Sequence, residues 1–315
     1  LVVGGLSIFI FGLNLTKENL RCISNQRIQK IIYNSTNTVF KSFFVGFLAT
    51  IIIQSSSGVT AIVVSFIASG ILSFPQGLGI MIGANLGTCI TAFLVGFNIQ
   101  KWSFLIIIFG FILSTIFKKP QYQKTSQVIF GIGLLFLGLE FMEKGFKEIA
   151  TSPIFSDLII LYSNSNIVAL ILGIVLTFII HSSSAIIAIL EQIYAAGIIT
   201  LSPAIMFMLG SNIGTTMTGL IITINTNENT KKAVYANIIF NVLGMILFFI
   251  LLKPYTLLLH MLEQKFFINF PEMTIAFAHL IFNFITVILG YFFFNQLVGL
   301  TELLFSKKEK SSPIG

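Results

Sequence analysis

Ile51-Ile52-Ile53-Gln54-Ser55-Ser56-Ser57-Gly58-Val59-Thr60 sets four consecutive polar side chains inside an apolar run that extends from Ser42 to Val64. Hydrocarbon cannot satisfy hydroxyl and amide groups, so in a membrane this knot must face protein, water or a ligand. Ile179-Ile180-His181-Ser182-Ser183-Ser184-Ala185-Ile186-Ile187 repeats it. Gln54 and His181 are 127 apart (181 − 54). At that offset Gly46 meets Gly173, Thr50 meets Thr177, Gly70-Ile71 meets Gly197-Ile198, and Asn85 meets Asn212. Gly87-Thr88 meets Gly214-Thr215, and Thr91 meets Thr218. Roughly a third of about 50 ungapped positions are identical, the signature of an internal repeat. Chance likeness between apolar segments would match Leu and Ile, not a triple serine followed at one spacing by Asn-x-Gly-Thr. The spans before the knots also match, Phe11-Gly12-Leu13 against Leu137-Gly138-Leu139. A costly polar feature present twice points to one site built from two halves.

Composition sets the class. The chain has 315 residues, 56% hydrophobic and 9% charged, with mean hydropathy +0.97. A soluble domain carries about 25% charge, so this chain reads as an all-α integral membrane protein in contact with the lipid bilayer. The net charge of +7 lies in loops between apolar spans and not in one patch, which argues against nucleic acid as a partner. Two cysteines, Cys22 and Cys89, make neither a disulfide framework nor a metal cluster, and Cys89 reads as packing. The chain starts at Leu1 and not Met, and its first apolar run lacks the basic region and cleavage site of a signal peptide.

The pattern divides the chain into two units. Unit 1, residues 1–117, holds a span, an amphipathic connector over 16–41, a hairpin over 43–69, a span over 75–97 and a span over 102–117. Unit 2, residues 126–252, holds a span, a hairpin over 167–196, a span over 203–224 and a span over 233–252. Residues 253–299 add a loop and a further span, and 300–315 a polar tail. Each flank of a knot is only about 11–12 residues, too short for a bilayer that needs roughly 20, so each hairpin reads as re-entrant with its knot at the tip. Gly83-Ala84-Asn85-Leu86-Gly87-Thr88 and Gly210-Ser211-Asn212-Ile213-Gly214-Thr215 read as breaks in their spans. Three crossings per unit make the second unit enter from the opposite face, an inverted-topology repeat. One side then holds thirteen of the 18 Lys and Arg residues and the other only Lys101, Lys144, Lys147, Lys253 and Lys265. The positive-inside rule puts the first side, with the C-terminus, in the cytoplasm of a cell-membrane protein.

The knots carry oxyanion chemistry. Ser55, Ser56, Ser57, Ser182, Ser183 and Ser184 are the expected substrate ligands, and a broken helix adds N–H groups that attract an anion. Gln54, His181, Asn85, Thr88, Asn212, Thr215 and Thr216 supply oxygens and nitrogens for a sodium and substrate shell. No Arg or Lys lies in either knot, so co-bound Na+ would offset the anion's charge. A single serine in a membrane helix more often bonds its own backbone; six in two matched clusters favour a site.

Two QSSS-type motifs, each followed by G-x-N-x-G-T, resemble the type II sodium–phosphate cotransporters and their bacterial relatives. Asn237-Ile238-Ile239-Phe240-Asn241 and Ala278-His279-Leu280-Ile281-Phe282-Asn283 resemble that family's helices with H-x-x-F-N. The resemblance implies uptake of inorganic phosphate coupled to sodium ions by alternating access at a midplane site, with no other cofactor. Some bacterial relatives append a cytoplasmic PhoU-like domain; this chain stops just after its last span, so it is expected either to lack one or to have been cut. Two departures stand out: His181 replaces the usual Gln and can titrate, and Trp102 to Phe117 lacks the H-x-x-F-N pattern.

Three further readings stay open. Glu191, opposite Val64 in the first hairpin, is a possible coupling group for a cation or proton, or else a carboxylate in an aqueous vestibule or a carboxylic acid hydrogen-bonded to Gln192 or Tyr194. His279 reads as a satisfied donor between helices. Another small oxyanion, with ion or proton coupling, is the rival substrate. A channel lacks the polar lining it needs, and a serine hydrolase needs its nucleophile once and a third group that orients the base, so the chain reads as no enzyme.

Overall fold

A computed structural model describes residues 1–12, 14–16, 18–19, 36–96, 102–117, 119–150, 165–223 and 226–310. Most of the expected connector over 16–41 falls outside them. The described elements are helical throughout, with no strand among them. In chain order they are α1 (Val2–Thr16), α2 (Val39–Ile53), α3 (Ser56–Ala68), α4 (Phe74–Gly96), α5 (Ser103–Ile116) and α6 (Pro120–Ala150). Then come α7 (Asn166–Ile180), α8 (Ser183–Ala195), α9 (Leu201–Ile222), α10 (Glu228–Ile250), α11 (Leu252–Leu262), α12 (Glu272–Phe292) and α13 (Phe294–Lys310). Five stretches are long and apolar enough to cross a membrane: Phe74–Phe93, Tyr122–Met142, Leu201–Ile221, Glu228–Ile250 and Glu272–Phe292. Large apolar side chains such as Phe104, Ile108, Phe111, Ile171 and Phe249 point outward, which only a hydrocarbon solvent accepts on this scale.

Glycine decides how the helices meet. A Cβ on Gly46 would stand 1.9 Å from the Ile80 carbonyl oxygen, and on the matching Gly173 2.1 Å from that of Phe207. On Gly83 it would lie 1.9 Å from the Phe43 oxygen, and on Gly210 2.2 Å from that of Leu170. So α2 lies backbone to backbone along α4, and α7 along α9, with the same register in both units. Gly79 meets Ser42 and Gly87 meets Thr50, as Gly210 meets Leu170 and Gly214 meets Thr177, so residue numbers rise together and each pair runs parallel. Gly77, near the start of α4, faces Ile67, near the end of α3. The second arm of the hairpin therefore returns to the end where the first began. The α2 arm has 15 residues, about 22 Å, against a hydrocarbon core of about 30 Å.

These contacts correct one expectation. The Gly-rich stretches in α4 and α9 are not breaks, because both helices run through them unbroken. The missing side chains let the hairpin arms approach, the role of small residues in membrane helix packing. The breaks in the two knot-bearing stretches lie at Gln54 and His181.

Matched helices of the two units run in opposite directions where they meet. Gly5 faces Gly138, and Gly12 faces Gly131, so α1 and α6 pack antiparallel through matched residues. The amide of Asn227, just after α9, donates to the Ala68 carbonyl at the end of α3, 3.1 Å away. The end of α9 thus lies beside the start of α4, and those two matched helices also run in opposite directions.

Other expectations shift at the edges. α6 runs on to Ala150, past the loop expected from Glu143. The final span divides at Phe293, and the expected tail continues as α13 to Lys310. α5, expected to correspond to α10, packs on α6, whereas α10 packs on α3, α4, α9 and α13. α10 instead shares its setting with α12, which packs on α4, α8 and α9. These two helices carry Asn237/Asn241 and His279/Asn283.

Candidate functional site

Both hairpins break the same way. Gln54 and His181, each with φ 55°, are the positive-φ residues other than glycine among the described residues. Each closes its helix in the left-handed conformation, its N–H bonded back to Thr50 and to Thr177. The next serine swings to extended backbone and caps the following helix. Ser55 accepts from the Gly58 N–H at 3.1 Å, and Ser182 from the Ala185 N–H at 3.4 Å. Ser56 and Ser57 then begin α3, and Ser183 and Ser184 begin α8. A first-turn N–H has no carbonyl a turn earlier to bind, so four amide donors and two positive helix ends emerge at the breaks.

The two breaks meet. The Ser57 hydroxyl donates to the His181 carbonyl across 3.5 Å, a long bond that joins one knot to the other. Ser56, Ser183 and Ser184 are buried, and among the described residues no protein group bonds their hydroxyls. Gln54 is held from both ends: its Oε1 accepts from Thr91 at 2.7 Å, and its Nε2 donates to the Ile51 carbonyl at 2.8 Å. His181 is exposed, its ring 6.0 Å from that of Phe178.

The outer shell divides. Asn85 crosses from α4 to donate to Asn241 of α10 at 3.3 Å. Asn212 folds back on the Met208 carbonyl of its own helix. Thr88, Thr215 and Thr216 donate to carbonyls one turn earlier, so they offer only lone pairs outward. Cys89 is buried, and its thiol donates to the His279 carbonyl, which fits the packing role read for it.

Two expectations are overturned. Both ring nitrogens of the fully buried His279 lack hydrogen-bond partners among the described residues, so it is not a satisfied donor. Glu191 bonds neither Gln192 nor Tyr194; the tyrosine hydroxyl donates to Glu263 at 2.9 Å, and both Glu191 oxygens lack partners among the described residues. The sequence reading also passed over Thr50 and Thr177 as site residues. Their hydroxyls are buried without partners among the described residues, one turn below each break. Their match across the repeat was visible, but a lone threonine in an apolar run carries no chemical signal of its own.

Gln54 allows a test of geometry against chemistry. Left-handed backbone costs a side-chain residue about 1–2 kcal/mol, and glycine's extra freedom when unfolded returns about 0.4–1 kcal/mol. Gln54→Gly is therefore expected to change stability by no more than about 1 kcal/mol, read by thermal melting. Its ligand turnover should fall about tenfold, since Thr91 loses its acceptor and the site its amide.

The family model described as Na+/Pi-cotransporter matches residues 8–144 and, again, 138–282. Over 305 residues the chain is 30% identical to the uncharacterized protein YqeW of Bacillus subtilis, covering 95% of this chain and 96% of that protein. It is 22% identical over 284 residues to YjbB of Escherichia coli, provisionally named an inorganic phosphate export protein, covering 90% of this chain and 51% of YjbB. The chain thus spans about half the length of that relative. A segment of 93 residues, 29% of this chain, is 31% identical to human sodium-dependent phosphate transport protein 2B and covers 14% of it. No solved structure matches the chain.

Proposed function

This chain belongs to the Na+/Pi-cotransporter family, and from that premise we propose that it is a secondary transporter that moves inorganic phosphate with Na+ through one site made by both serine knots. The observation that carries the reading is the Ser57–His181 contact, which brings two helix N-termini and the surrounding serines to one place. An oxyanion is the ligand such a place favours: four free amide donors, hydroxyls able to donate, and the positive ends of two helix dipoles. Ser55 and Ser182 shape the site as caps, while Ser56, Ser57, Ser183 and Ser184 face the anion.

Neutral donors leave the anion's charge uncompensated, so cations travel with it. Gln54, Thr88, Asn85, Asn212, Thr215 and Thr216 supply acceptor oxygens suited to Na+ in the surrounding shell. The hairpins enter from opposite faces and meet near the midplane. Antiparallel α1 and α6, and hairpin arms too short to cross, support this arrangement. The excess of Lys and Arg on the side of the 16–41 connector orients that side to the cytoplasm, and exchange of the two half-sites between faces gives alternating access.

The test is flux. The purified chain in liposomes is expected to take up 32P-phosphate at least about tenfold faster with an inward Na+ gradient than with K+. A phosphate flux indifferent to Na+ would remove the coupling. The name of YjbB gives that relative the export direction, and reversal of the gradient in the same vesicles decides which net direction this chain supports. No phosphate flux under any gradient would sink the reading in favour of another small oxyanion.

A further inference from the structure

Glu191 lies two turns beyond the second knot, about 12 Å along α8 from Ser183. It is fully buried, and neither carboxylate oxygen has a hydrogen-bond partner among the described residues. Gln192 beside it is fully buried too, with both amide atoms unbonded. The corresponding position of the first hairpin holds Val64, packed in an apolar core. The fold therefore needs no acid at this place, since its twin is made with a valine.

α8 is enclosed by α4, α6, α7, α9 and α12. Titratable side chains described on these helices are Cys89 of α4, Tyr122, Lys124, Glu140 and Lys144 of α6, and Glu272, His279 and Tyr291 of α12; α7 and α9 have none. Lys144 is paired with Glu140. Glu272 of α12 is itself a buried carboxylate. A carboxylate fully buried among membrane helices, with neither oxygen bonded among the described residues, demands a positive charge from outside.

We propose that Glu191 is a monovalent-cation site, separate from the serine knots, whose carboxylate takes up one Na+ or one proton. Its role as the charge that accompanies phosphate rests on the transport reading; occupancy of the site does not. A carboxylate oxygen suits both hard Na+ and a proton, and either neutralises it. The asymmetry of the repeat then has a purpose: only the second hairpin carries the coupling charge.

The test omits phosphate. The purified full chain in detergent is melted at about pH 6 and about pH 8.5, in NaCl or choline chloride, beside Glu191→Gln. A saturable stabilisation by Na+ at the higher pH that the Gln variant lacks assigns a Na+ site. A stabilisation on acidification, independent of Na+ and lost in the variant, assigns a proton. The same shifts in variant and parent, or no cation-dependent shift in the parent, overturn the proposal. Should Glu191→Gln not be recovered folded, Glu191→Asp decides. Half-saturation about tenfold weaker supports the site, and an unchanged value overturns it. Failure here would leave phosphate flux untouched, and failure of flux would leave this result standing.

Discussion

A Ser56→Ala, Ser183→Ala double variant is expected to lose at least about a hundredfold in phosphate affinity while its fold persists. Hydrogen bonds to a charged ligand contribute about 1.5–3 kcal/mol each, and one is removed from each hairpin. Neither hydroxyl bonds a protein group among the described residues, so alanine leaves no stranded protein donor or acceptor. The caps at Ser55 and Ser182 stay in place, and both helices still begin where they do. Melting temperature should therefore hold while ligand binding collapses, as read by equilibrium binding of 32P-phosphate to purified protein. The matching change at a cap, Ser55→Ala, would act differently. It frees the Gly58 N–H and weakens the start of α3 by about 1 kcal/mol.

Gly83→Ala is the largest structural effect expected. The added Cβ would need to occupy space 1.9 Å from the Phe43 carbonyl oxygen, which is backbone and cannot turn aside. α2 would have to lift from α4, and with it the first knot from the second. The loss should exceed about 3 kcal/mol, enough to prevent recovery of folded protein. Gly210→Ala should do the same in the other unit, 2.2 Å from the Leu170 oxygen. Gly299→Ala is the control: nothing stands within 4 Å of its Cβ, and a helical alanine there should be neutral or slightly stabilising. Yield of monodisperse protein and thermal melting separate the three.

That pair of glycines also shows where sequence reading reaches its limit. The knots were legible because six hydroxyls have no reason to gather twice in apolar helices, and their spacing gave the positions of both breaks. A glycine in a membrane helix has two physical meanings, a weak point in the helix or a place where another backbone passes. Gly83 and Gly210 were read as the first and are the second. The deciding fact, the carbonyl lying against each, belongs to another helix and leaves no mark within the local sequence. The satisfied His279 and the hydrogen-bonded alternative for Glu191 failed for the same reason. Their residue types announced a buried polar group, but the absence of partners depends on what α4, α8 and α12 bring to them. The likeness of α10 to α12 was visible in Asn237-x-x-x-Asn241 and His279-x-x-x-Asn283. Their order in the chain hid that both pack against the central helices, while α5, which was expected to hold one of those places, lies outside on α6.

The central claim is that two half-sites make one phosphate site. Its most direct test is the stoichiometry of 32P-phosphate bound to purified protein in Na+, measured for the parent and for Ser56→Ala and Ser183→Ala singly. One phosphate per chain, weakened by either substitution by about tenfold or more, is the expected result. Two phosphates per chain, or full affinity after either substitution, would mean that the knots do not share a ligand.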